Sequence, residues 1–217
     1  MTSPRVFVTG GTGYMGQRLM KKLIASGYDV TAVVRAGSES KLPAGCLAVT
    51  GNVLDGNSYA SHVASGDTFV QLVGVAHPSP AKAVEFVEID QTSALEAIRV
   101  ARDAGVRHFV YVSVAHPAPA MHAYVAVREK CEAAIHEASL HATILRPWYV
   151  LGPGHHWPRL LIPLYWLADR LPSTRDGARR LGLVTIDQMV TALVRAVANP
   201  PQGINIVDVP GIRSCSI

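Results

Sequence analysis

Cysteine is scarce in this chain of 217 residues: Cys46, Cys131 and Cys215 are widely spaced and odd in number. That pattern suggests neither a disulfide framework nor a zinc cluster, and no metal site is expected. Charge is also thin, at 17% of residues with a formal balance of +4, and aromatic residues make up only 6%. No run of Lys and Arg and no interleaved stacking aromatics accompany the positive balance, so nucleic acid is not an expected partner. Solvated faces and an anionic ligand account for it.

Long hydrophobic runs are missing too. The longest apolar block, residues 160–168, is broken by Pro163 and flanked by Arg159 and Arg170, which is too short to cross a bilayer. The early apolar run Val6 to Val8 stops at glycines, unlike a secretory signal, so a cytoplasmic protein is expected. Against these absences stands an apolar content of 49%, enough for one domain with a full core spanning residues 1–217.

The most informative stretch is Thr9 to Gly16, TGGTGYMG, between Val6-Phe7-Val8 and a helix-like segment ending near Ser26. A strand, three spaced glycines and a helix make a turn that cradles phosphate. Gly10 takes backbone angles forbidden to other residues, Gly13 lets the main chain approach a pyrophosphate, and Gly16 lets helix and strand pack closely. Thr12, Tyr14 and Met15 complete the turn. Their neighbourhood offers free N–H groups and the positive end of a helix dipole to an anion.

The second strand, residues 30–34, ends in Arg35. A protein that binds a ribose 2′-hydroxyl usually has Asp or Glu there, about 20 residues after the glycines. Asp29 lies at the wrong end of the strand and Glu39 lies beyond it. An arginine suits a 2′-phosphate, with Ser38 and Lys41 as helpers.

A third strand (46–50) is expected to place Asn52 and Val53 at the carboxyl edge, where an adenine would lie. A fourth (68–73) leads to Gly74 and Val75, small enough to let a ribose and nicotinamide pass near the backbone. A long helix, 82–104, with a stripe of Val87, Ala94, Leu95, Ile98 and Ala101, stops at Gly105. A fifth strand (107–113), a helix (121–138) and a sixth strand (142–145) follow. The chain then has an apolar segment (157–171), a basic loop (175–180), a helix (187–198) and a short strand (204–207). Such alternation predicts an α/β fold, a Rossmann-type doubly wound parallel sheet with a small C-terminal substrate lobe at about 152–183.

Ligands of open parallel sheets bind beyond the carboxyl ends of the strands. Ser113 ends the fifth strand, Tyr124 opens the next helix, and Arg128 follows four residues later. Four residues turn about 400° on a helix, so Tyr124 and Arg128 share a face.

These motifs resemble the short-chain dehydrogenase/reductase superfamily, in its atypical NAD(P)H-binding branch. TGGTGYMG is similar to its TGxxGxxG turn, and DAGVRHFVYVS (Asp103 to Ser113) to its passage into strand five. ATILRPWYVLGPG (Ala142 to Gly154) resembles its strand-six segment, and TIDQM (Thr185 to Met189) its late return to the fold.

The resemblance implies a nicotinamide dinucleotide approached by Pro147, Trp148 and Tyr149, and Arg35 makes NADP(H) the expected form, with NAD(H) less favoured. It implies that Ser113 hydrogen-bonds the substrate oxygen and Tyr124 passes the proton, with Arg128 as electrostatic partner. The pattern departs at one place: the family's Tyr-x-x-x-Lys is here Tyr124 to Arg128. Arginine supplies a positive field and could contact ribose hydroxyls, but it cannot lend and recover a proton.

Two functions fit. One is an NADP(H)-dependent reductase of a carbonyl, quinone or other apolar small molecule. The other is a non-catalytic NAD(P)H-binding sensor, regulator or assembly factor resembling the nitrogen-metabolite-repression regulators. His77, His116, His122, His155 and His156 fall near the carboxyl edge, as loop or substrate-facing histidines. The segment 157–172 reads as a lid, a packed helix or a membrane-contact surface, and the protein as a monomer or homodimer.

Overall fold

The computed structural model describes residues 3–153, 177 and 180–215. Seven parallel strands form one sheet: β1 (Arg5–Thr9), β2 (Asp29–Val34), β3 (Cys46–Thr50), β4 (Thr68–Gln71), β5 (His108–Val112), β6 (Ala142–Leu145) and β9 (Ile204–Val207). Their spatial order is β3-β2-β1-β4-β5-β6-β9. The chain winds outward from β1 in one direction and then returns to wind the other way. This doubly wound Rossmann order opens a crevice at the carboxyl ends of β1 and β4.

Alternation along β1 divides the molecule into two cores. Phe7 points to one face, where Phe69 and Phe109 stand beside it in register on β4 and β5, with ring centroids 5.2 and 5.5 Å apart along the row. Helices α3 (Thr92–Ala104) and α4 (His122–Glu137) cover that face with Ala94, Ala97, Ala101, Cys131 and Ile135. Val6 and Val8 point the other way, against Leu19, Met20 and Leu23 of α1 (Tyr14–Ala25). Met189, Leu193 and Val197 of α5 (Ile186–Ala198) close the same side. Thr185 and Gln188 start α5 with a reciprocal capping box, satisfying two donors at the helix end.

The predicted helix 82–104 is not one uniform α-helix. A short turn, α2 (Ala83–Glu85), leads into a π-helical turn, Phe86–Gln91, and only then into α3. The buried stripe is Phe86, Asp90, Ala94, Ala97, Ile98 and Ala101, while the expected members Val87 and Leu95 are 48% and 40% exposed. Hydrophobic periodicity passes over a core-facing aspartate, and so it chose the neighbouring Val87. Strand β4 ends at Gln71, two residues early, although the Leu72 N–H still donates to Thr9 O.

A second, two-stranded parallel sheet pairs β7 (Tyr149–Leu151) with β8 (Leu183–Thr185), and α6 (Val209–Ser214) follows β9. None of these three was expected. The segment 157–172, most of the lobe 152–183, and His155 and His156 lie outside the described residues.

Candidate cofactor and active site

The glycine turn sits at the carboxyl end of β1. Gly10 has φ +76°, and a Cβ there would meet the backbone of Leu72 and Val73 at 2.7 and 2.8 Å. A Cβ on Gly16 would lie 2.5 Å from Gly10 O and 2.6 Å from Gly11 O, so both are packing glycines. Gly13 is exposed and caps α1 without a side chain, and the first turn of α1 has no acidic residue. The opening N–H groups of a helix have no acceptor within the helix. Here no acidic residue of the helix's own first turn competes for them, which suits the pyrophosphate of a dinucleotide.

The side chains of this turn are engaged in packing. Gln17 Nε2 donates to Thr12 O, and Met15 rests on the second core. Tyr14 lies against Gly152, and Arg18 stacks over its ring at 4.4 Å. Tyr14 and Met15 therefore offer a ligand their backbone.

Arg35 is exposed at the end of β2 and makes no ion pair among the described residues; Lys41, also exposed, follows in the same loop. Ser38 N–H donates to Arg35 O. Asn52 uses its Oδ1 to accept the Leu54 N–H at 3.0 Å, and its own N–H donates to Ser58 Oγ. It thus shapes its loop, while Val53 packs against the first core.

The loop after β4 rests on a buried ion pair. Asp90, on the π-turn, accepts the Val75 N–H at 2.9 Å and pairs with Arg128 of α4. Arg128 also donates to Tyr111 Oη at 3.0 Å and Val112 O at 3.1 Å, and its guanidinium lies 4.9 Å from the centre of the Tyr124 ring. Burial opposes the Arg128 charge, but Tyr111, Tyr124 and Asp90 outweigh it and hold the guanidinium above its ordinary pKa. A Cβ on Gly74 would meet Arg128 Nη2 at 2.9 Å and Asp90 Oδ1 at 3.2 Å. The space that Gly74 leaves open is therefore filled from below by this pair.

Tyr124 and Arg128 share a face of α4, as the helical spacing predicts. Tyr124 is half-buried, with its ring 4.9 Å from that of Phe86. Ser113 is 3% exposed, and its hydroxyl donates to Glu132 Oε1 at 2.5 Å. No hydrogen bond joins Ser113 to Tyr124 among the described residues. Glu132 also accepts from Arg146, while His116 lies between Glu129 (3.1 Å) and Glu132 (3.4 Å). Pro147 is buried and its carbonyl accepts the Ala115 N–H, while the rings of Trp148 and Tyr149 meet edge to face at 5.5 Å.

Asp90 and Glu132 are site residues that sequence reasoning missed. Their only signal was helical spacing: Asp90 precedes Ala94 by four residues, and Glu132 follows Arg128 by four.

A cavity of about 410 Å³ opens among His116, Arg146, Arg180 and Asp208. Another of about 400 Å³ lies among Arg5, Asp29, His62 and Asp67, at the amino-terminal ends of the strands and away from the glycine turn. Among the described residues, no three His, Cys, Asp or Glu side chains gather as metal ligands, and no helix is long and apolar enough to cross a membrane.

Comparison with known proteins gives relatives of matching design. A ceramide reductase of Caulobacter vibrioides is 26% identical over 213 residues, covering 96% of this chain and 65% of that protein. The chain therefore spans just under two thirds of that relative. A 3-diazoavenalumate denitrifying reductase of a Streptomyces species is also 26% identical, over 92% of this chain and 74% of its own. Among solved structures, MoeE5 in complex with UDP-glucuronic acid and NAD superposes with a TM-score of 0.71 at 21% identity, over 94% of this chain and 76% of that one. At that identity the likeness speaks to the fold alone. Residues 10–155 match the model of a family described as NAD(P)H-binding. That match begins inside the glycine turn and runs through all the site residues described above except Arg180 and Asp208, so the chain belongs to the NAD(P)H-binding family.

Proposed function

We propose that this protein is an NADP(H)-dependent oxidoreductase of the atypical short-chain dehydrogenase/reductase type, acting in the cytoplasm on a carbonyl, quinone or other apolar small molecule. The observation that carries this reading is a pairing of two features. One is a helix start at the switch point of the sheet that has a glycine N-cap and no acid in its first turn. The other is a half-buried phenol, Tyr124, beside a fixed cation on α4. The names of the two reductase relatives agree with it.

In this reading the chain works as one dinucleotide-binding domain, with residues 152–183 on the substrate side. The N–H groups of Tyr14, Met15 and Gly16 hold the pyrophosphate, and Arg35 with Lys41 faces a 2′-phosphate. When bound, the nicotinamide supplies or accepts the hydride. Tyr124 passes the accompanying proton at its hydroxyl. Arg128 stabilises that position by charge and exchanges no proton. Ser113 gives its own hydrogen to Glu132, so it offers a substrate only lone pairs. It can accept from a hydroxyl, such as that of an alcohol product, and does not polarise a carbonyl.

A second reading, a dinucleotide sensor without turnover, is favoured by one fact: Arg128 is 4% exposed and bound to Asp90, so a guanidinium that exchanges no proton stands one helical turn from Tyr124. The two are separated by following NADPH oxidation across a panel of carbonyls and quinones, with Tyr124→Phe as control. The reductase reading expects turnover that falls about 100-fold or more in the variant, the usual scale for losing a general acid. Binding without turnover on any substrate establishes the sensor instead, and an unchanged rate in the variant removes Tyr124 from the mechanism.

A further inference from the structure

Asp90 belongs to no recognised motif, yet four parts of the fold meet on it. It is fully buried on the π-turn and touches the loop after β4 through Val75 N–H. Through Arg128 it reaches the end of β5, at Tyr111 and Val112, and the first turns of α4, at Tyr124. A carboxylate buried this deeply is costly unless its charge and lone pairs are answered. Here one oxygen is answered by a main-chain N–H and the other by a guanidinium. The bond to Val75 also fixes where the Gly74-Val75 backbone runs, with the ion pair directly beneath Gly74.

We propose that Asp90, acting with Arg128, is a positioning residue for the nicotinamide half of the cofactor. It sets the Gly74-Val75 backbone and the Tyr124 ring in one fixed relation. The inference rests on the reading that the nicotinamide ribose passes along Gly74 and Val75. Arg128 then stands at the lysine's place in the motif with its Nη donors turned to Asp90, Tyr111 and Val112, while its buried Nε has no partner among the described residues. The adenine half, held at Gly13 and the end of β2, lies outside the reach of this pair.

The test compares each dinucleotide with its own adenine half: NADPH with adenosine 2′,5′-bisphosphate, and NADH with AMP. The halves lack both the nicotinamide and its ribose. In the wild-type chain the preferred dinucleotide is expected to bind at least tenfold tighter than its adenine half. In Asp90→Asn, which leaves Arg128 buried without its counter-charge, the dinucleotide is expected to weaken tenfold or more, with the adenine half changing less than twofold.

The neutral pair Asp90→Asn with Arg128→Gln keeps hydrogen-bonding shapes and removes both charges. It serves as the second variant should the single one not fold, and it is expected to recover most of the dinucleotide affinity. Equal weakening of both ligands, or of neither, overturns the assignment, as does a wild type that binds the adenine half as tightly as the dinucleotide. No turnover is needed: a protein that binds as expected but reduces nothing overturns the reductase reading and leaves this one standing.

Discussion

His108 is fully buried in β5, with Nε2 2.9 Å from Thr143 Oγ1 on β6 and a buried Nδ1 that has no partner among the described residues. Burial, with smaller contributions from Arg107 and His141, pushes its pKa down to about 4. The folded protein therefore refuses a proton that the unfolded chain accepts once pH drops below about 6.5. Stability from this residue is complete above that pH, declines as pH falls towards 4, and levels off below. The full span is about 3 kcal/mol. Urea unfolding at a series of pH values between 7 and 4 should show the decline, and His108→Gln, which can keep a bond to Thr143, should flatten it. An equally steep decline in the variant would assign the effect elsewhere. At this scale the sequence was only half legible. Tyr124, Arg128 and Ser113 could be picked out because their spacing and neighbours carry a pattern. Asp90 and Glu132 could not, since a buried carboxylate is recognised only by the arginine that answers it, and Arg128 and Arg146 are 38 and 14 residues away from their partners.

The glycine turn separates two duties among similar residues. An alanine at Gly16 would drive its methyl into the carbonyls of Gly10 and Gly11, whereas at Gly13 the nearest atom is Gly10 O at 3.2 Å and the rest is solvent. Gly16→Ala is expected to cost about 1–3 kcal/mol of stability and to lose dinucleotide binding as well. Gly13→Ala should shift the urea midpoint little and still weaken the dinucleotide. A Gly13→Ala variant that binds the dinucleotide as tightly as the wild type would show that Gly13 is not where the turn meets its ligand. Elements of this kind were the most legible part of the sequence: β3, β6 and β9 occupy the predicted residues, β6 because a buried parallel strand is a plain apolar run, and the largely exposed edge strands β3 and β9 because short β-prone runs alternate there with helical segments. The π-turn and the pair β7 and β8 were not visible. A wide turn has no compositional signature, and two strands of three residues take their identity from a partner more than 30 residues away.

For the whole molecule, binding of a dinucleotide adds to folding stability. At 100 times its dissociation constant a ligand contributes about 2.7 kcal/mol, which for a chain of this size raises Tm by about 5–10 °C. The proposed 2′-phosphate site predicts a larger rise with NADPH than with NADH at equal concentration. Arg35→Ala should remove that difference and leave the NADH shift unchanged. Equal loss with both cofactors would sink the assignment of Arg35 to the 2′-phosphate.

The same stability margin bears on how this chain could change over time. Breaking one side of a buried ion pair costs about 3–5 kcal/mol, a large part of the 5–15 kcal/mol that a domain typically holds. A lineage carrying Asp90 and Arg128 together cannot readily exchange either alone. A lysine at position 128, where the wider family has one, would pair with Asp90 but forsake Tyr111 and Val112. The pair therefore restrains change: a neutral residue at either position leaves the other buried without its counter-charge, so the two charges are expected to be kept or lost together.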